Sequence, residues 1–286
     1  MIYSPKSIFF FCLMLCTGAI YSFCHAQNEI PLSGHCISQY ENGHINWTTG
    51  EIVATGKASP KGNKEFSNES VPGSARTDAN RHIISILKQI KINDTLTIEK
   101  YASKNDIILA GIEKTARDAE VIRQFYTSDL AVEIMVKTSI LGGFLQLVLP
   151  DNIRQIPVIS PELRREPIEE DGFILTGMII DARGLDIEPV LNPVIISEQG
   201  HAVYSGEFIS REFAVKNGIC KYTCNLNDAM IDRRIGKSPL VFKALRKEGE
   251  KNPAIVISTS NYLLLEKTTE RHTFLKECRV IIVKDP

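Results

Sequence analysis

The run at residues 173–180, Phe-Ile-Leu-Thr-Gly-Met-Ile-Ile, stops abruptly at Asp181-Ala-Arg-Gly184. That stop constrains the fold more than any other stretch. The run has strand length and no polar alternation, which reads as a strand buried on both faces and ended by a charged turn. Such a strand needs neighbours on either side and covering layers above and below, and residues 172–286 must supply them. A second run of the same kind, Cys278-Arg-Val-Ile-Ile-Val283, reads as another central strand. Between the two, residues 194–197 and 202–204 flank Glu198-Gln-Gly-His201 as a hairpin with Gly200 at the tight position. Residues 239–245 and 254–258 read as strands. Helical segments are expected over 210–216, 225–234 and 260–270.

The first half has a different texture. Ala75, Ala79, Ile83, Ile86, Leu87 and Ile90 fall on one helical stripe, with Ser74 placed to cap the first turn. The alanines let this helix approach a sheet closely. His82 lies off the stripe and is expected in solvent. Residues 45–56 read as strand-like, with a glycine that suggests a bend or bulge and with Trp47 packing in the core or at an edge. Residues 119–126 and 130–137 form a hairpin pattern in which Leu130, Val132, Ile134 and Val136 share a face. Residues 107–111 are too short to assign. The apolar segment 139–149 contains Gly142-Gly143 and reads as a short helix or flap. The sharper reading is an exposed partner-binding patch over residues 141–149. Pro150, Pro157, Pro161 and Pro167 break up residues 150–171, which read as a linker. The expected fold class is α+β, in two small domains, residues 27–149 and 172–286. Each is an antiparallel or mixed sheet packed by one or two helices.

The N-terminus indicates export. Lys6 precedes an apolar stretch over residues 8–20, too short to span a bilayer, and Cys24-His-Ala26 carries small residues where signal peptidase reads. Cleavage is expected after Ala26, which removes residues 1–26 as a signal peptide and places the mature chain in the periplasm. Lipid attachment at Cys16 or Cys24 is disfavoured, because Leu15 and Phe23 stand where lipoprotein processing needs a small residue. Four cysteines remain, Cys36, Cys220, Cys224 and Cys278, in a compartment that permits disulfides. They allow three pairings. The pair Cys220 and Cys224 is the leading candidate provided the chain turns between them. In an extended strand their Cα atoms would stand about 13 Å apart, and a bridge needs less than about 7 Å. A metal site built from this pair and a histidine is disfavoured, and no cofactor is expected.

Lys plus Arg total 33 against 34 for Asp plus Glu, which leaves no basic excess for nucleic acid or for an anionic membrane surface. No phosphate loop, dinucleotide fingerprint, nucleophile elbow or His-Glu-x-x-His is present. Asp181 and Arg183 are the candidate binding pair, able to orient a phosphate or carboxylate. The preferred reading is that they pair with each other and with turn amides.

Residues 45–56, the helix around Ala75-Arg76-x-x-Ala79-Asn80-Arg81 and the hairpin after it resemble the bacterial LPP-twenty lipoprotein family, which is related to a domain of flagellar assembly protein T. The stretches 176–185 and 278–283 look like the second half of secreted bacterial proteins carrying that domain. The resemblance covers most of residues 44–285. It implies a non-enzymatic envelope protein with a structural or assembly role, a protein partner in the envelope and peripheral association with the outer membrane or the flagellum. It supplies no catalytic residue. The alternative is a secreted hydrolase, or a small-ligand or glycan-binding module, with Asp181 and Arg183 in its site.

Overall fold

The first sheet begins where residues 43–58 fold back on themselves. The computed structural model describes residues 34–60, 70–93, 95–103, 105–150, 153, 174–249, 254–268 and 271–286. The expected signal peptide and nearly all of the expected Pro-rich linker, with its acidic run, therefore lie outside the described residues. Strands β1 (Ile37–Tyr40), β2 (Gly43–Asn46) and β3 (Glu51–Ala58) form an antiparallel meander. The expected single bent strand is thus two strands. Trp47-Thr-Thr-Gly50 is a turn, with Gly50 at φ +75° and the Asn46 side chain accepting from the Thr48 amide at 3.0 Å. Helix α1 (Val71–Gln89) packs across β3 with the expected stripe of Ala75, Ala79, Ile83, Ile86 and Leu87 buried. It starts earlier than Ser74, because the Ser70 hydroxyl accepts from the Gly73 amide and Pro72 is tolerated in a first turn. The approach is backbone-close at Gly56, where a Cβ would stand 2.1 Å from the Ala79 nitrogen. His82 is not solvated: its ring Nδ1 lies 2.6 Å from the Thr55 carbonyl, the half-buried edge where helix meets sheet.

A small hairpin, β4 (Lys91–Asn93) with β5 (Leu96–Thr97), leads into α2 (Ile98–Ala102). The segment too short to assign opens a full helix, α3 (Asp106–Arg117). Its start is set by Asn105, whose side chain accepts from the amides of Ile107 and Ile108 at 3.0 and 3.3 Å. The hairpin β6 (Glu120–Tyr126) and β7 (Val132–Ser139) completes a five-stranded sheet in the order β1-β2-β3-β7-β6. Val132, Ile134 and Val136 face the core as expected. Leu130 does not: it sits in the turn at φ +60° and is 72% exposed. Helix α4 (Gly143–Val148) follows, with Phe144, Leu145 and Val148 buried. The apolar segment is therefore core, not an exposed patch. Its last carbonyls are bound by the Arg211 guanidinium, which reaches Gln146 O, Leu149 O and Pro150 O at 2.7, 3.2 and 2.9 Å. A cation on the unsatisfied end of a helix is favourable for the hydrogen bonds it makes and for the dipole it meets.

The second sheet has seven strands. In chain order its elements are β8 (Gly177–Asp181), β9 (Ile195–Ser197), β10 (Ala202–Tyr204), α5 (Arg211–Asn217), β11 (Lys221–Thr223), α6 (Leu226–Met230), β12 (Pro239–Glu248), β13 (Ala254–Ile257), α7 (Thr259–Lys267), α8 (Arg271–Lys276) and β14 (Val280–Val283). The order across the sheet is β10-β9-β13-β12-β8-β14-β11, with β12, β8, β14 and β11 all parallel. The later part of each run singled out for its lack of alternation lies inside it, from Gly177 and from Val280, and every residue of β8 and β14 is buried, whereas Ile174 ahead of β8 is 51% exposed. Each face has its own cover. Ile179 and Ile281 pack with Ala229 of α6 and with Ile235 in a small separate cluster. Met178, Ile180, Val280 and Ile282 face the large core instead. That core also takes in the buried face of α1, so one body of apolar side chains serves both sheets. Backbone hydrogen bonds cross between them, among them Leu191 N to Lys91 O at 3.0 Å and Gly142 N to Val215 O at 2.8 Å. The architecture is α+β with multiple sheets and helices packed on them.

Candidate functional site

The Trp47–Gly50 turn of the first sheet lies against β11 at the edge of the second. The indole packs edge-on to the Tyr222 ring, centroids 6.0 Å apart and planes at 75°. Its nitrogen donates to the Ser38 hydroxyl at 2.9 Å. The Tyr222 hydroxyl donates to the Val190 carbonyl and accepts from the Val190 amide, at 3.0 and 3.1 Å, so its polar end is satisfied inside the protein. Burial pushes that phenol well above its usual range. Beside the pair opens a cleft of about 500 Å³ with Trp47, Leu145, Phe213, Ile219 and Tyr222 among its apolar walls. That is within the size of a small-molecule or side-chain binding site.

The rim is cationic. Lys216, Lys221, Arg233, Arg234 and Arg279 line it against two carboxylates, Asp232 and Glu277. The roles divide cleanly. Arg234 is committed to structure: its guanidinium donates at 2.6 Å to each of the carbonyls of Cys278, Asn217 and Gly218. Those carbonyls sit at the ends of α8 and α5, so one side chain ties two helix exits together. Lys221 pairs with Asp232, and Arg279 with Glu277 at 2.7 Å. Lys216, in the last turn of α5, and Arg233, in the loop after α6, are exposed and have no partner among the described residues. Two free cations over an apolar floor can hold an anionic group while the floor takes its hydrophobic part. Among the described residues no group of three or more His, Cys, Asp or Glu could hold a metal ion.

Asp181 and Arg183 lie elsewhere, at the exit of β8. Arg183 donates from Nε to Oδ1 at 2.8 Å and from its amino group to Oδ2 at 2.9 Å. Its amide reaches the same carboxylate at 3.2 Å, and Lys243 stands 3.4 Å away. The Arg183 hydrogen bonds hold the Asp181 carboxyl down to about 2. Both charges are consumed in closing the turn, and neither residue lines the cleft.

The cysteines are distributed differently from the leading expectation. Cys220 and Cys224 flank β11, where the chain is extended, so they do not reach each other and the proviso of a turn fails. No disulfide joins Cys36, Cys220, Cys224 or Cys278 in this structure. Cys220 and Cys278 sit near the buried Tyr204 hydroxyl, and burial pushes them up to about 12 and about 11. Cys36 and Cys224 lie near each other where the segment before β1 meets the exit of β11.

Sequence reasoning did not find the cleft. Its walls come from residues 47–50, 140–145, 213–222, 232–234 and 277–279, and no local motif links them. The one signal available was Trp47, the chain's single tryptophan, set in a polar turn.

A protein-family model described as the second domain of Treponema pallidum Tp0624 matches residues 177–286. The match starts at the first residue of β8 and takes in the whole seven-stranded sheet. It includes the cationic rim of the cleft and leaves out the Trp47 turn. No curated protein matches the chain.

Proposed function

We propose that this protein is a non-enzymatic assembly protein of the bacterial cell envelope, and that it engages another envelope protein at the cleft between its two sheets. The observation that carries this reading is the division of the rim. Three of five cations are spent on carbonyls and carboxylates, while Lys216 and Arg233 stand free above an apolar floor. An acidic side chain flanked by an apolar one is the chemistry such a site recognises. The apolar N-terminal stretch that reads as an export signal, and the resemblance of the first half to envelope lipoproteins, support an encounter in the periplasm, peripheral to the outer membrane.

A photo-reactive residue at Phe213 in intact cells tests this. We expect capture of one envelope protein, lost in Lys216→Glu/Arg233→Glu while the protein still folds. Equal capture with that charge-reversed rim would reject the cleft as the contact. The alternative of a hydrolase or glycan site at Asp181 and Arg183 has less to work with, because each of those side chains already neutralises the other. Normal partner capture by Asp181→Asn would separate the two readings.

A further inference from the structure

The segment leading into β1 runs antiparallel to β11 and its exit. The Cys224 amide donates to the Gly34 carbonyl at 2.9 Å, and the Thr223 hydroxyl donates to the same oxygen at 2.8 Å. Two residues along, the Thr48 hydroxyl is inserted between the strands. It accepts from the Cys36 amide at 2.9 Å and donates to the Tyr222 carbonyl at 2.8 Å. Gly34 thus lies directly beside Cys224, and Cys36, two residues on, faces Tyr222 across the Thr48 hydroxyl, which brings the two cysteines near each other. The two thiols are near enough for Cys224 to bear on the titration of Cys36, while the Cys224 thiol itself lies 3.6 Å from the Asp285 carbonyl oxygen. Cys36 is 1% exposed, and burial together with that neighbouring thiol pushes its own thiol up to about 12.

We infer that Cys36 and Cys224 form a disulfide in the mature protein, joining the strand that enters the first sheet to the strand that leaves the edge of the second. The inference rests on export to an oxidising compartment, the same premise as the proposed function. The chemistry is thiol–disulfide exchange. Two S–H bonds break and one S–S bond forms. The two electrons and, through thiolate exchange with solvent, the two protons end on the disulfide of an oxidised thiol oxidoreductase or of oxidised glutathione, whose S–S bond breaks to leave two thiols. A thiol as buried and as weakly acidic as Cys36 reacts poorly in the folded state. The bridge therefore forms while the chain is folding, and once buried it resists reduction by bulky reductants.

The bond would lie beside the Trp47–Tyr222 contact and so fix the wall of the cleft. Cys220 and Cys278 stay as thiols in this scheme, Cys278 buried near Tyr204 and Cys220 partly exposed in the wall of the cleft.

The test uses the purified mature chain, unfolded and refolded in a glutathione redox buffer, then mapped as peptides without reduction. The expected result is a Cys36–Cys224 linked peptide, with Cys220 and Cys278 unlinked and Cys278 modified only after unfolding. Four free thiols, or Cys36 joined to another cysteine, would overturn the inference. Reducing the refolded protein should lower its melting temperature by about 10 °C, and Cys36→Ala/Cys224→Ala should be insensitive to reductant. Equal sensitivity in that double variant would also overturn it. Trapping thiols by acid quench in cells separates the two premises. A chain that bridges in vitro but is reduced in vivo rejects the exported location and leaves the geometric pairing standing.

Discussion

The two sheets solve the same burial problem in opposite ways. The five-stranded sheet is antiparallel throughout and covered by α1 on one face. Its strands alternate, with Ile52 and Ala54 in β3 and Val132, Ile134 and Val136 in β7 turned inward. Its last strand, β6, is exposed along its whole length, with Val121, Ile122, Phe125 and Tyr126 reaching solvent. The seven-stranded sheet keeps four parallel strands together and covers both faces of β8 and β14. The contrast shows where each sheet stores its stability. The first depends on a single helix seated against strand backbone. The second depends on strands that have no solvent side.

That comparison can be broken at four points. The largest effect is expected at Gly56→Val. A Cβ there would fall 2.1 Å from the Ala79 nitrogen and 2.3 Å from the Ala75 carbonyl oxygen, so α1 must lift off β3. We expect a loss of more than about 4 kcal/mol in denaturant unfolding. Near-native stability would show that the helix is not seated on this glycine. Ile180→Ala in β8 opens a cavity between β12 and β14 and should cost about 3 kcal/mol by the same measurement. A cost below about 1 kcal/mol would mean that the second sheet is less tightly covered than described.

Asp181→Asn comes third, at about 1–2 kcal/mol at neutral pH, discounted because the turn meets solvent on one side. The sign is fixed by the depressed carboxyl. The ion pair stabilises fully above the ordinary carboxylate range and is lost as pH falls through about 2. The wild type should therefore lose stability relative to the Asn variant between about pH 5 and pH 1. Parallel pH profiles would remove the pair from the account. The smallest effect is expected at Phe125→Thr on β6, within about 0.5 kcal/mol, because this side chain is already 46% exposed. A large loss there would mean that the open edge is covered in solution.

Legibility in the sequence followed the same divide. Runs without alternation located β8 and β14, and the alanine-spaced stripe located α1, because burial on a whole face leaves a period in the chain. Other elements are set by single side chains that no period reports. Asn105 starts α3, Ser70 starts α1 ahead of Ser74, and Gly50 turns one apparent strand into two. The segment 139–149 is apolar in either context, and only its position under Arg211 makes it core. The Asp181–Arg183 pair was legible because its partners are two residues apart. The cleft and the nearness of Cys36 to Cys224 were not, because each is made by strands far apart in the chain.

The position of β8 has a consequence for biosynthesis. Its two neighbours, β12 and β14, begin only at Pro239 and Val280, so the strand first made is the one whose hydrogen-bonding partners arrive last. During synthesis the segment Met178-Ile-Ile180 emerges with neither edge paired and must wait while most of the remaining chain is made. A holding chaperone would find its client sequence there. A truncation ahead of Val280 would leave that segment exposed for good, a substrate for proteases rather than a shortened but functional protein.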